Sequence, residues 1–248
     1  MKINCKPNIL PYFTLGAGGL GLCLQIWLLG TRDEQGLLAT GHAAGILSFL
    51  LFALTALMLC LCTRRLAPVA KYSQLFPASL WGALGCAAGA AAILSGLFEK
   101  SNGLTGLFVI RTVIGIAAAA CLVFIGYCRF KGRHPSFLFH CVITVYFMLH
   151  LVSHCRVWGA QPQLQLSFFP FLGSIFLLLS TYQRAVLDAG KGQRQWYVLW
   201  NQAAVFCCLL AAAGSDKLFY LAMAAWQLTN LCALQTRRQP SKPHQEEA

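Results

Sequence analysis

Residues 104–127 read LTGLFVIRTVIGIAAAACLVFIGY, and the chain continues at once as Cys128-Arg129-Phe130-Lys131-Gly132-Arg133. A bilayer core about 30 Å thick is crossed by roughly 20 apolar residues in a helix. The stretch holds one charge, Arg111, and ends on a cluster of bases. It lacks the two-residue alternation of a barrel strand. Backbone N–H and C=O groups in lipid must be bonded internally, so the stretch reads as a membrane-spanning helix.

Seven further runs share this character: 9–30, 41–62, 75–98, 136–154, 167–187, 197–214 and 217–236. The expectation is an all-α, polytopic transmembrane bundle of eight helices. It forms a single domain over 1–236, followed by a disordered tail over 237–248. Of 248 residues, 58% are hydrophobic and only 10% charged, with a mean hydropathy of +0.63. A soluble domain carries roughly 25% charged residues. The balance excludes an ordinary soluble enzyme, and its hydrophobicity excludes a disordered chain.

Orientation follows from the Lys and Arg residues between the runs. Their numbers from the N-terminus are 2, 1, 3, 1, 3, 1, 3, 1 and 3, with Arg111 left over inside the fourth run. This alternation predicts both termini in the cytoplasm. The acids sharpen it: Asp33, Glu34, Glu99 and Asp216 fall on the outer side, while Asp188, Glu246 and Glu247 fall inside. The basic inner face is expected to meet anionic headgroups of the inner leaflet. Dispersed bases with no accompanying motif do not make a nucleic-acid binder. Tyr12, Tyr72, Trp81, Tyr127, Tyr182, Trp196 and Tyr197 near inner ends read as an interfacial belt, as do Trp27, Trp158 and Tyr220 near outer ends. Lys2 and Lys6 precede a run too long for a cleaved signal peptide, so it reads as a retained anchor.

Several motifs that resemble chemistry have a packing explanation. Gly16-Ala17-Gly18-Gly19-Leu20-Gly21 matches a dinucleotide fingerprint, but it lies mid-helix with no preceding strand. Small residues there let helix backbones approach, as in Gly41-xxx-Gly45, Gly85-xxx-Gly89 and Gly115-xxx-Ala119. Most of the 12 cysteines lie within the runs, where a thiol acts as a small hydrophobe. Pro77, Pro135 and Pro170 are expected in first turns, where proline is tolerated.

The informative polar residues are few. Arg111 sits roughly 10 Å deep at 1.5 Å per residue. At 100° per residue it shares a side with Gly115, Ala118 and Ala119, opposite Val109, Val113, Ile116 and Phe124. It therefore points into the bundle, either paired with an acid such as Glu99 or aimed at an anionic ligand. His140, His150 and His154 fall on one arc of the fifth run. His150 and His154 are one turn apart, but they lack the Glu of a metalloprotease helix. They read as hydrogen-bonding groups, with a metal pair as the lesser alternative. With the predicted orientation, Gln25, His42, Arg111, His150 and His154 share the outer half. No acid or lysine lies mid-span, which leaves no carboxylate proton relay and no Schiff-base lysine.

The connection Thr31-Arg32-Asp33-Glu34-Gln35-Gly36-Leu37-Leu38-Ala39-Thr40-Gly41-His42 resembles one in a family of uncharacterised bacterial multi-pass membrane proteins. There an Asp-Glu-x-Gly-Leu-Leu stretch leads to Gly-His and often Pro; here Ala43 follows instead. The resemblance implies a bacterial inner-membrane protein and supplies no activity. Three readings remain open. The first is a non-enzymatic protein that binds or transports a small anionic or amphiphilic molecule through an outward-facing pocket, with Arg111 as its charge and Gln25, His42, His150 and His154 as its hydrogen-bonding groups. The second is an anchor or subunit docking another protein through its basic inner loops. The third is an intramembrane redox or metal enzyme built on His150 and His154. The first reading needs no cofactor.

Overall fold

The computed structural model describes residues 10–31, 42–64, 78–97, 105–159, 164–214 and 216–233. The expected tail and most of the Asp33–His42 connection lie outside them, as does Glu99. The described residues form eight helices and no strand: α1 Leu10–Gly30, α2 Ala43–Thr63, α3 Leu80–Leu97, α4 Thr105–Phe130, α5 Phe137–Gly159, α6 Leu164–Asp188, α7 Arg194–Ala211 and α8 Lys217–Cys232. Five of them, α1 to α5, are long and apolar enough to cross a membrane.

α8, at 16 residues, is too short for that measure, and α6 and α7 are less apolar than α1 to α5. α7 packs against α1, α2, α6 and α8, and α8 packs against α3 and α7. Polar residues such as Asn201, Gln202, Gln227 and Asn230 are therefore affordable there, and all four are buried. α2 shows the opposite balance, with Ile46, Leu50, Leu54, Leu57 and Leu61 exposed along its outer face.

The packing closes a ring in the order α3, α4, α5, α6, α7, α8 and back to α3, with α1 and α2 attached outside at α7. Neighbours in the ring run antiparallel. Gly85 faces Thr229 and Gly96 faces Phe219 across α3 and α8, while Gly126 faces Cys86 and Gly115 faces Leu97 across α4 and α3. One end of the ring thus gathers the starts of α3, α5 and α7 and the ends of α4, α6 and α8. We call it the basic end, since Arg129, Lys131, Arg133, Arg184, Lys191 and Arg194 lie there.

α4 and α6 finish alike at that end. Arg133 N–H bonds Cys128 O at 2.8 Å and Lys191 N–H bonds Val186 O at 3.1 Å. Each closure turns on a left-handed glycine, Gly132 at φ 66° and Gly190 at φ 78°. These are glycine C-caps, and they keep Arg129 and Asp188 within the last helical turn.

Three expectations need correction. Pro170 is not in a first turn but inside α6, because the helix starts at Leu164 and takes in Gln165. Its carbonyl is served by Ser174 Oγ at 3.0 Å and Tyr220 Oη at 3.3 Å. Tyr197 and Tyr220 are not belt residues: both are buried with their hydroxyls in the ring, whereas Tyr12, Trp27, Trp81, Tyr127, Tyr182 and Trp196 are exposed. Arg129, Arg184 and Arg194 are not loop charges but buried helical residues.

The glycines divide by face. A Cβ on Gly18 or Gly21 would strike Leu209 or Leu210 of α7, whereas Gly16 and Gly19 have open space. At Gly89 a Cβ would press on the Trp226 ring at 3.2 Å. Gly89→Leu should therefore destabilise by about 2 kcal/mol or more through overpacking. Gly16→Ala should be neutral or stabilising by up to about 1 kcal/mol through helix propensity. Unfolding of the two variants in detergent, followed by circular dichroism, measures the difference.

Candidate functional site

The ring interior is polar at both ends and aromatic between them. At the end opposite the basic one, α4 directs Arg111 inward. It is 5% exposed, with Ala118 and Ala119 buried on the same side and Val109, Val113 and Ile116 exposed on the other. Its Nη1 donates to Ser153 Oγ at 3.2 Å, and the guanidinium lies 5.8 Å from the Phe108 ring centre. No ion pair to Arg111 occurs among the described residues. Its Nε has no hydrogen-bond partner there.

α5 supplies the rest of that cluster. Ser153 donates to His150 O at 2.8 Å and lies 3.1 Å from His154 Nδ1. The rings of His150 and His154 are 4.2 Å apart, and His150 stacks on Phe219 of α8 at 4.9 Å. The buried His150 Nε2 has no partner among the described residues. Among those residues no set of three His, Cys, Asp or Glu stands close enough to hold a metal. A zinc centre takes three or four protein ligands, more than this pair supplies among those residues.

Gln25 and His42 sit elsewhere, on the α1–α2 pair, which packs on α7 rather than on α4 or α5. Gln25 is buried in α1. His42 caps α2: its Nδ1 accepts from Ala44 N–H at 3.3 Å, and its ring meets the Trp27 edge at 5.5 Å. That is the role of an N-cap acceptor. The five residues singled out in the sequence thus form two groups, with Arg111, His150 and His154 together.

The basic end holds a larger buried cluster. Arg129 Nη1 donates to Asn230 Oδ1 at 2.7 Å, and Arg184 Nη1 reaches the same oxygen at 3.5 Å. Arg184 Nη1 also donates to Tyr197 Oη at 2.9 Å. Both arginines are 4% exposed. Beside them His140 Nδ1 lies 2.6 Å from Asp188 Oδ2, with the Asp188 side chain fully enclosed. Asp188 is the one acidic residue of the sequence between positions 100 and 215.

In the sequence His140 shares one arc of the fifth run with His150 and His154, whereas Arg129, Arg184 and Asp188 read as residues of the connections. The available signal was the glycine after each: Gly132 and Gly190 mark the true helix ends. No protein-family model matches the chain, and no curated protein or solved structure matches it either.

Asp188 is the acid that faces His140, Arg129 and Arg184 in this buried cluster, and removing one member of a buried charged group leaves the others uncompensated, at about 3–5 kcal/mol. Asp188→Ala should therefore destabilise the protein by that order, well beyond the effect at exposed Lys131. Denaturant unfolding in detergent reads both.

Proposed function

We propose that the protein binds, and passes through the membrane, a small anionic or amphiphilic molecule, which it takes up at the Arg111 end of the ring. The single observation behind this reading is Arg111 itself. A guanidinium set in a helix ring meets a hydroxyl rather than a carboxylate among the described residues. A buried cation in that setting is most stable with an anion beside it. Ser153 and His154 supply further hydrogen-bonding groups, and the half-buried Phe108 ring and the stacked Phe219 suit an apolar portion of the ligand. His150 Nε2 offers a donor or an acceptor according to tautomer. His42, engaged as a helix cap, and Gln25 would act on the α1–α2 side of the molecule.

The reading carries an orientation. Lys131 and Arg133 are exposed at the basic end. Placing that end in the cytoplasm follows the positive-inside rule and sets these bases against anionic lipids of a bacterial inner membrane. Arg111 then opens outward. The anchor reading is weaker, since Arg129 faces the ring interior rather than a docking partner.

Two measurements test it. Native mass spectrometry of protein taken gently from its own membrane should show a retained anionic molecule. Arg111→Ala should lower its occupancy by about tenfold or more, the effect of losing a charged hydrogen bond. Equal retention in the variant would discard the pocket. Separately, alkaline phosphatase fused after Ala248 should stay inactive while a fluorescent protein fused there folds and shines. An active phosphatase would reverse the orientation.

A further inference from the structure

The sequence places no acid mid-span, but the fold turns one inward. Asp188 stands in the last turn of α6, which the Gly190 cap keeps helical. Its side chain is fully enclosed, while Ala189 and Gly190 beside it are exposed. Asp188 Oδ2 lies 2.6 Å from Nδ1 of His140, which is 2% exposed on α5. That separation suits a proton held between a ring nitrogen and a carboxylate. Among the described residues no other donor reaches either Asp188 oxygen. The pair accommodates both forms of the ring. A neutral imidazole turns its Nδ1–H to the carboxylate, and an imidazolium makes an ion pair with it in the same place.

Opposed influences meet at this imidazole. Asp188 favours a second proton on it, whereas enclosure and the guanidiniums of Arg129 on α4 and Arg184 on α6 oppose one. The other groups around it carry no fixed charge: Cys86 of α3, Tyr197 of α7, and Trp226, Gln227 and Asn230 of α8 line the same cavity. That cavity measures about 10 Å³, room for one water at most. No third metal ligand joins the pair among the described residues, and the two guanidiniums oppose a metal cation. As a mere brace the pair has little advantage, since apolar side chains of similar volume often stabilise as well as a buried ion pair. Ionisable groups kept inside a membrane protein instead mark proton pathways. We propose that His140 and Asp188 form a reversible proton-binding site. The proton comes from water and returns to it, and it sits on His140 Nε2, because Nδ1–H already faces the carboxylate. Exposed Ala189 and Gly190 adjoin the site on the basic side, whereas buried Ile143, Tyr146 and Phe147 close the way towards Arg111. Taken with the uptake reading, the proton gives an anion in the ring a counter-charge; the site itself does not depend on that reading.

The test uses the full chain in detergent, carrying isotope-labelled histidine and titrated by nuclear magnetic resonance. Wild type and His140→Gln should differ by one imidazole that gains a proton between about pH 8 and pH 5. Asp188→Asn should move that titration to lower pH by one unit or more, a tenfold or greater loss of proton affinity. Arg111→Ala, at the other end of the ring, should leave it in place. Should His140→Gln not fold, Trp226 gives a second reading, because an imidazolium beside an indole quenches its emission. The fluorescence of the wild type should then fall across the same pH range, and Trp226→Phe should abolish that fall. Three results would overturn the proposal. Identical titrations of wild type and His140→Gln, or a Trp226 emission indifferent to pH, would make the pair a fixed brace. A titration unmoved in Asp188→Asn would show that the carboxylate takes no part. A titration moved as far by Arg111→Ala as by Asp188→Asn would mean that the two ends are not separate sites.

Discussion

A guanidinium cannot be left facing hydrocarbon, and much of this architecture answers that constraint. Arg111, Arg129 and Arg184 all turn into the ring interior, each with a neutral hydrogen-bond acceptor brought by another helix: Ser153 of α5 for the first and Asn230 of α8 for the other two. A neutral acceptor satisfies an N–H but does not cancel a charge. At the basic end Asp188 belongs to the same cluster as Arg129 and Arg184, whereas Arg111 meets a hydroxyl and no carboxylate among the described residues. Water screens such a charge in a soluble protein and screens it less in a bilayer, which is the physical ground of the anion site proposed at Arg111.

Bringing those acceptors within reach requires helices to approach closely, and the glycines serve that need. Gly85 and Gly89 let α8 lie against α3, which carries Asn230 and Trp226 to the inner face. Gly115 accommodates Leu97 and the Tyr146 ring beside α4, and Gly82 leaves room for Arg129 Nη1 at 2.9 Å from where a Cβ would stand. The small-residue pattern and the buried charges are thus two halves of one arrangement. A ring of bulkier helices would hold the arginines too far from their partners.

The helices were legible in the sequence because their length is set by the membrane and their boundaries by charge. Arg111 was legible for the same reason, since one base in an apolar run needs an explanation. Arg129, Arg184 and Asp188 were not. They lie where a run gives way to its basic flank, and a hydropathy pattern does not separate the last helical turn from the connection beyond it. The resulting error was not random: each residue was counted as topogenic charge when it also serves as interior polar structure. Tyr197 and Tyr220 were misread by the same logic, because an aromatic near a helix end suits either a lipid belt or a buried hydroxyl. What separates the two is the neighbouring helix, here Arg184 of α6 for Tyr197 and Pro170 of α6 for Tyr220. That information belongs to packing order, which one sequence does not contain. The fate of Gln25 and His42 was hidden likewise, since depth was inferable but the partner of α1 and α2 was not.

The two ends of the ring are related by the helix that links them. Arg111 and Arg129 are five full turns apart on α4 at 3.6 residues per turn, and so project from one side at a separation of about 27 Å. Between them the interior is filled by Ile143, Tyr146, Phe147, Met223 and Trp226, all buried. Phe147 stacks on Trp226 at 6.3 Å, closing the ring from α5 to α8. The two polar ends are thus separated by an apolar, largely aromatic middle. If the proposed ligand crosses through this ring, that middle must part, and there α5 and α8 meet through the ring contacts His150–Phe219 and Phe147–Trp226. Stacked rings slide at small cost compared with breaking a charged hydrogen bond. The polar ends would then stay fixed while the apolar middle opens, so the arginines can keep their acceptors through the movement.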